Sequence, residues 1–416
     1  MAHNGPVAVE VTKLAARFIG DAGAKCQIPA MNIEALHIIV VGGATAGAAA
    51  ALLFARAGVR VTLIERVADP KAVGAGIGIA ENGLAVLESI GLGPAIEAVG
   101  MPVPAPRIVD GRGRVLLEPP GPVPKVLMLR RSDLQQVLLD AVAAEPRIER
   151  WFGAEVIGTD RQGGIVVRTA DGEHQLRGDI VIGADGVHSR VRAAGDHGAS
   201  MSPPGITYVR ALVACDGARG EEAWTAAGLF GSFAVRGGTY LFASVGGQDV
   251  RRALANRDLE TFRSAWARAY PAAEPLLACA ERWDDLLFNS VLRVECRRWS
   301  DGRQVLVGDA AHAMAPNLGQ GANSALVDVA VLLDEVRRAG DIETAFARYQ
   351  QRRQSAVTRV AVMAARLGTV AEITNPVGRW LRDRILMRLL SLAGRSTDTT
   401  LVLQEPAEKL RAIGRA

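Results

Sequence analysis

A short β-branched run that breaks into glycines and reopens as an alanine-rich helix constrains this chain more than any other segment. Residues 38–41 read as a strand, Gly42-Gly43-Ala44-Thr45-Ala46-Gly47 as a turn, 48–57 as a helix and 60–65 as a second strand. A unit of about 30 residues in this order closes right-handed, which makes its two strands parallel. In that geometry Gly42 permits the tight turn and Gly47 lets helix and strand approach each other. The helix N-terminus then presents amide donors and a partial positive charge, a site for a pyrophosphate.

Two residues refine this reading. Ala44 stands where a G-x-G-x-x-G pattern wants its second glycine and puts a methyl at the point of closest approach. Glu65 ends the second strand, 23 residues after Gly42. A carboxylate there can accept from both ribose hydroxyls of an adenosine and repels a 2′-phosphate, so the turn suits FAD or NAD rather than NADP. The candidate cofactor-binding residues of this unit are Gly42, Gly43, Ala44, Thr45, Ala46, Gly47, Glu65 and the adjoining Arg66.

Several function classes lose their footing on composition. A chain of 416 residues with 49% hydrophobic and 22% charged side chains is globular and long enough for two to three lobes. Its 48 basic and 44 acidic residues are interspersed, which argues against a nucleic-acid partner, since phosphate tracking needs a clustered basic face. The four cysteines, Cys26, Cys215, Cys279 and Cys296, show no C-x-x-C spacing. Neither a metal site nor a disulfide framework is expected, and a reducing, cytoplasmic compartment is. Residues 35–55 carry no formal charge and are long enough to suggest a membrane span, but the glycine pair inside them favours strand, turn and helix. A secretory signal is not expected either, because the apolar run starts late and follows Glu34. Residues 1–34 read as an N-terminal extension without a catalytic role, in which 7–19 could form a short amphipathic helix and Met31 is a candidate start.

Further along, 180–182 is a strand running into Gly183-Ala184-Asp185-Gly186, and 304–307 is another running into Gly308-Asp309. Between them 206–214, 228–235 and 239–245 are β-rich, the last two joined by a hairpin turn at Arg236-Gly237-Gly238. A helix follows with Leu259, Phe262, Trp266 and Tyr270 on one face, ended by Pro271. Beyond Asp328 the pattern is helical, with arginine-rich outer faces and no internal repeat.

Three further segments carry a resemblance. The first is Gly74-Ala75-Gly76-Ile77 with Asn82 and Gly91-Leu92, and the second runs from Gly183-Ala184-Asp185-Gly186 through Val187-His188-Ser189-Arg190-Val191-Arg192. The third joins Gly302-Arg303, Gly308-Asp309-Ala310-Ala311-His312, Pro316, Gly319-Gln320-Gly321-Ala322-Asn323, Ala325-Leu326 and Asp328. Together with Arg131 in Leu129-Arg130-Arg131-Ser132-Asp133-Leu134, they make residues 36–355 resemble the FAD-dependent aromatic hydroxylases. These are single-component (group A) flavoprotein monooxygenases of the salicylate- and urate-hydroxylase kind. The resemblance implies an α/β fold: a Rossmann-like FAD-binding domain with a parallel sheet, an inserted antiparallel β substrate domain, and C-terminal helices. We expect the FAD-binding domain at 35–105, 125–200 and 292–345, the substrate domain at 106–124 and 201–291, and a helical region at 346–416.

The resemblance also implies the chemistry. NADH or NADPH reduces FAD, O₂ gives a flavin C4a-hydroperoxide, and one oxygen passes to an aromatic or similarly electron-rich small molecule. Asp309 is expected to accept from a ribityl hydroxyl. Pro316, Gly319, Gln320, Gly321, Ala322 and Asn323 are expected beside the isoalloxazine, with backbone amides facing the N1 and C2 carbonyl edge, where charge develops on reduction. Asp185 resembles a residue linked to both FAD and nicotinamide. Arg131 resembles one that reaches the pyrophosphate with its guanidinium fork, whereas Arg130 reads as solvated and His312 as structural. Ala44 departs from the family pattern, as does Glu81, which stands where many relatives carry proline. A second glycine fingerprint is absent, so no separate nicotinamide domain is expected.

For the substrate side, Tyr208, Arg210, Phe230, Phe233 and Tyr240 are the candidates, and Arg210, Tyr208 and Pro316 form the expected catalytic set. No base for phenol deprotonation can be assigned from sequence. Two other readings stay open: an epoxidase or hydroxylase of a larger apolar metabolite on the same fold, and a non-catalytic FAD-binding protein. A homodimer is kept as an assembly.

Overall fold

The computed structural model describes residues 31–70, 74–105, 107–119, 123–203, 205–393 and 404–414. The N-terminal segment, with the amphipathic stretch expected at 7–19, lies outside them. The apolar run at 35–55 is strand His37–Val41 followed by helix Thr45–Arg56, both buried almost throughout. Such continuous apolarity is what a parallel strand covered by helices on both faces requires. Among the described residues no helix is long and apolar enough to cross a membrane.

His37–Val41 lies inside a six-stranded sheet ordered Ser300–Asp301, Gln304–Leu306, Ile180–Gly183, His37–Val41, Arg60–Glu65, Ile148–Phe152. Every pairing is parallel except that of the short edge strand Ser300–Asp301. Val40 sits opposite both Ile182 and Leu63, so the strands that carry the Gly42, Asp185 and Asp309 turns all end on the same side. Helices Thr45–Arg56, Arg131–Ala144 and Gly321–Arg338 bury their apolar faces around this sheet.

A seven-stranded sheet forms the second layer, ordered Leu287–Ser290, Thr207–Val213, Gly238–Ser244, Leu229–Val235, Glu221–Trp224, Arg107–Asp110, Val115–Leu117. The hairpin closes at Val235 opposite Gly238, with Gly237 (φ +71°) and Gly238 (φ +152°) supplying backbone angles other residues resist. On one face Val209, Ala211, Phe230, Leu241 and Ala243 pack against Phe262, Trp266 and Tyr270 of the following helical segment, Leu259–Ala269 and its end. The opposite face turns toward the parallel sheet. C-terminal to these lie Ile342–Ala371, Pro376–Leu381, a π-helical turn at Arg382–Leu386, and Met387–Ala393.

Two expectations are corrected here. Cys215 and Cys279, 64 residues apart, form a disulfide that ties the end of strand Thr207–Val213 to the end of helix Glu274–Ala278. A pairing made by tertiary approach leaves no spacing signature, which is why the sequence pattern did not announce it. Phe230 also faces away from the substrate side, its ring centroid 5.3 Å from that of Trp266 and 5.9 Å from that of Tyr270.

Candidate active site

The carboxyl ends of the parallel strands and the free face of the antiparallel sheet enclose one cavity of about 1260 Å³. That exceeds what a single drug-sized ligand needs, roughly 300–1,000 Å³, and leaves room for a dinucleotide and a second molecule together.

At its base the dinucleotide turn divides its labour. Gly42 has φ +102°, and a Cβ there would lie 2.5 Å from the Ala184 carbonyl oxygen; at Gly47 one would lie 1.7 Å from the Gly42 oxygen. Both glycines are therefore obligatory. The Gly43 amide donates to Glu65 Oε2 at 2.7 Å, and its carbonyl accepts from Gln135 Nε2 at 2.7 Å. Gly43 and Gly47 thus brace the turn from behind, while Gly42, Ala44, Thr45, Ala46, Glu65 and Arg66 line the cavity. Gln135 is a support the sequence did not flag. Ala44 has φ −76° and ψ −170°, ordinary extended backbone, so its methyl costs no strain where a glycine was anticipated. It caps the helix with no side-chain hydrogen bond, and the first turn carries no acid, leaving the amides open to an anion. Glu65 also accepts from the Val67 amide at 2.9 Å, so both oxygens are anchored and each keeps a lone pair for a hydroxyl.

Three charged residues reach the cavity from other elements. Arg131 opens helix Arg131–Ala144, its amide bonded to the Ala75 carbonyl at 3.0 Å, and its guanidinium has no partner among the described residues. Asp185 Oδ2 accepts from the amides of Arg190 (2.6 Å) and Val191 (3.2 Å), while its buried Oδ1 has no partner among the described residues. Burial raises its pKa against the hydrogen bonds from Ser189 and these amides. The Arg190 guanidinium goes to Glu155 at 3.6 Å, so Asp185 meets Arg190 only through the backbone. Asp309 is exposed to the cavity directly after Gly308, whose φ is +58°.

Asp328 holds that turn from beneath. It accepts from the Gly308 amide at 3.1 Å, His312 Nε2 at 2.5 Å and Arg353 Nε at 2.8 Å. Burial opposes its charge, but His312 and Arg353 hold its pKa below the usual carboxylate value. His312, with its ring 4.9 Å from Trp299, is a structural residue, and Arg353 is a buried ion-pair partner far outside any motif.

The loop over the opposite side starts at Pro316–Leu318, turns at Gly319 (φ +61°), and feeds helix Gly321–Arg338, whose N-cap Gln320 makes no side-chain cap. A Cβ at Gly319 or Gly321 would meet nothing within 4 Å, so this stretch borders open space, although the Gly319 amide itself donates to the Pro316 carbonyl at 2.8 Å. Asn323 behaves differently from its neighbours: Oδ1 accepts from the Ala80 amide at 2.9 Å, and Nδ2 donates to the carbonyls of Gly78 (3.1 Å) and Gly319 (2.8 Å). It clamps the loop to strand Gly76–Ala80. Asn317 Nδ2 donates to the Tyr208 hydroxyl at 2.7 Å, joining the loop to the antiparallel sheet. An open helix N-terminus, an unpaired guanidinium, a second open helix start and a glycine cradle fit FAD in both charge and length.

The substrate face follows from register. Arg210 lies opposite Phe242, Phe242 opposite Gly231, Gly231 opposite Glu222, and Glu222 opposite Ile108. Directly opposed residues share a face, so this row points into the cavity. The Phe242 ring lies over Gly231, where a Cβ would come within 2.1 Å of Cζ. Phe233 stacks on Phe242 at 5.8 Å and 6°, and Tyr240 at 5.6 Å and 28°, giving an aromatic shelf. Arg210, Tyr208, Phe233 and Tyr240 are thus brought together. Burial raises the pKa of both tyrosines, which remain hydroxyl donors at neutral pH.

Glu222 is the cavity residue that sequence reasoning missed. Burial pushes its carboxyl up to about 7, with a weak opposing bond from Trp224 Nε1 at 3.4 Å. Its neighbour Glu221 points to the other face, where it meets the Tyr270 hydroxyl at 2.7 Å, Arg219 at 2.9 Å and Arg107 at 3.2 Å. Strand alternation separates the two acids, and only the pairing tells which one faces inward.

The sequence profile described as an FAD binding domain matches residues 35–202 and 284–364. Aurachin C monooxygenase/isomerase of Stigmatella aurantiaca is 31% identical over 377 residues, covering 86% of this chain and 94% of that protein. A 2-heptyl-3-hydroxy-4(1H)-quinolone synthase of Mycobacteroides abscessus is 30% identical over 370 residues, covering 81% and 92%. Among solved structures, Klebsiella pneumoniae HpxO complexed with FAD and uric acid superposes with a TM-score of 0.71 at 22% identity, covering 89% of this chain and 97% of that one.

Proposed function

This chain belongs to the FAD binding domain family, and from that premise we propose that its aromatic shelf receives a bicyclic aromatic ring for hydroxylation. The protein is an oxidoreductase, an FAD-dependent monooxygenase drawing electrons from NADH or NADPH. Its substrates are a small electron-rich molecule and O₂. Bound FAD supplies reduction and oxygen activation, and the chain supplies binding, orientation and exclusion of water.

In this reading Gly42, Ala44, Thr45 and Ala46 hold the pyrophosphate with Arg131, Glu65 takes the ribose, and Asp309 takes the ribityl chain. Gly43, Gly47 and Asn323 brace these contacts, Arg66 flanks the adenosine, and Asp185 keeps its free oxygen for a cofactor hydroxyl. Pro316 to Ala322 cover the flavin edge, where helix-start amides stabilise negative charge. Arg210 and Tyr208 position the substrate. Residues 35–105, 125–200 and 292–345 then form the FAD-binding domain, 106–124 and 201–291 the substrate domain, and 346–416 the helical region.

The observation that carries the substrate reading is the shelf of Phe233, Phe242 and Tyr240, flat and lying over a glycine. A relative named for a heptyl-substituted quinolone, itself a bicyclic ring, supports the same ring size. Leu229, Ile108 and Leu367 offer an alkyl substituent an apolar wall. The experiment is to supply the FAD-loaded protein with NADH or NADPH, O₂ and 2-alkyl-4(1H)-quinolones. Ligand-accelerated nicotinamide oxidation with a product heavier by one oxygen is expected. A ligand-independent rate with no oxygenated product overturns the reading.

We place the protein in the cytoplasm, where its reductant is supplied, with Cys215–Cys279 the one disulfide among the described residues; cell fractionation tests this. A homodimer is the proposed assembly, with the exposed apolar row Val377, Leu381, Ile385 and Leu389 as its contact; a monomer by sedimentation overturns it.

A further inference from the structure

The row that carries the aromatic shelf ends in opposite charges. Arg210 and Glu222 are separated by three strand spacings of about 4.8 Å, about 14 Å between their backbones. Both line the cavity, and the residues in register between them are Phe242 and Gly231, the Phe242 ring lying over the glycine. A planar bicyclic ring resting on Phe242 therefore has a guanidinium at one end and a carboxyl at the other.

Resting on the reading of the site as an aromatic hydroxylase, we infer that Glu222 is the base that takes the proton of a ring O–H or N–H conjugated with the carbon to be oxygenated. Arg210 holds a carbonyl or anionic oxygen at the far end of the same ring. In that step the O–H or N–H bond breaks, its electron pair stays on the substrate, and the proton forms an O–H bond on the Glu222 carboxylate. Electron density at the conjugated carbon rises, which is what an electrophilic oxygen needs. The proton returns when the product regains its own O–H or N–H, so the step consumes no oxidant or reductant.

The surroundings suit this role. Among the described residues Glu222 has only the indole N–H of Trp224 as a hydrogen-bond partner, and at 3.4 Å that bond is weak. The groups facing it are Arg210, Tyr208 and Tyr240 from the sheet. Arg107 of the adjacent strand is engaged by Glu221 on the other face. From the C-terminal helices come Glu372, which acts on Tyr208, and Arg382, which lies over the Trp224 ring at 5.5 Å and donates to the Trp224 carbonyl at 3.2 Å. None of these bonds Glu222 directly. A carboxyl poised near neutrality is matched to proton transfer at working pH.

The test uses FAD-loaded protein, wild type and Glu222→Gln, with 4(1H)-quinolone and its N-methyl analogue, reading dissociation constants from the flavin absorbance change. Wild type should prefer the N–H ring by about tenfold near pH 8 and lose most of that preference near pH 6. Glu222→Gln should show a small preference that does not change with pH, while keeping its FAD affinity. The inference is overturned if the variant keeps the wild-type pH dependence, if wild type does not distinguish the two rings, or if neither ring binds. Glu222-dependent binding without any ligand-stimulated NAD(P)H oxidation would instead overturn the hydroxylase reading and leave the subsite standing.

Discussion

The two walls of the cavity present different chemistry to a ligand. On the parallel-sheet side the cavity is bordered by backbone, two helix starts and glycines that allow close approach, with side chains such as Gln135, Asn323 and Asp328 bonded to that backbone from behind. On the antiparallel side the backbone is consumed by strand pairing, and what the cavity meets is side chains projecting from one face, Arg210, Phe242 and Glu222 among them. Backbone recognition needs particular residues at particular spacings along the chain, whereas face recognition needs only that the register bring the right residues together. The first leaves motifs in the sequence and the second does not.

The largest effect should come from the buried support of the parallel side. Asp328→Ala leaves Arg353 without its ion-pair partner in a fully buried position, which should cost about 3–5 kcal/mol of stability. Thermal or denaturant unfolding checks it, and an unchanged midpoint would mean the turn at Gly308 does not depend on its underpinning.

Next comes the contact proposed for Asp309 on the same side. Asp309→Ala should weaken FAD by about 1.5–3 kcal/mol, roughly 10- to 150-fold, with the fold retained. Flavin fluorescence titration decides between this and a purely local capping role.

On the antiparallel side, Glu222→Gln should separate face chemistry from fold. The folded carboxyl titrates at about 7 against an ordinary 4.5, so folding takes up a proton between those values. Wild-type stability therefore falls as pH rises through that window, and glutamine removes the slope. The variant should gain in Tm relative to wild type on going from pH 5 to pH 8; a constant difference would place Glu222 in a solvated environment.

The smallest effect belongs to Ala44→Gly. With Ala44 already in extended backbone, FAD affinity should change by less than about tenfold. A hundredfold gain would show that the methyl holds the pyrophosphate away and that even backbone recognition here is tuned by a side chain.

Much of the cofactor wall was legible before any coordinates. Strand, turn and helix at 38–57, the acid at Glu65 and the Gly308-Asp309 step fall where spacing placed them, because each is a local demand on φ, on close approach or on a helix start. Ala44 sits in extended backbone, so the alanine in place of glycine costs the turn no backbone strain. Phe230 looked as good a pocket residue as Phe233, yet strand alternation sends it into the helices behind the sheet.

By itself the sequence determined the parallel unit, the order of the elements and the backbone cradle, since those depend on neighbours within about 30 residues. Tertiary structure alone decided that Glu222 shares a row with Arg210 while Glu221 is taken up by Tyr270, that Arg353 underpins a turn, and that Cys215 meets Cys279. Those relations join residues from 12 to 64 positions apart or depend on which of two faces a strand turns inward. Local propensity carries no information about either, because only packing of the two sheets against each other and their helices breaks the symmetry between the faces.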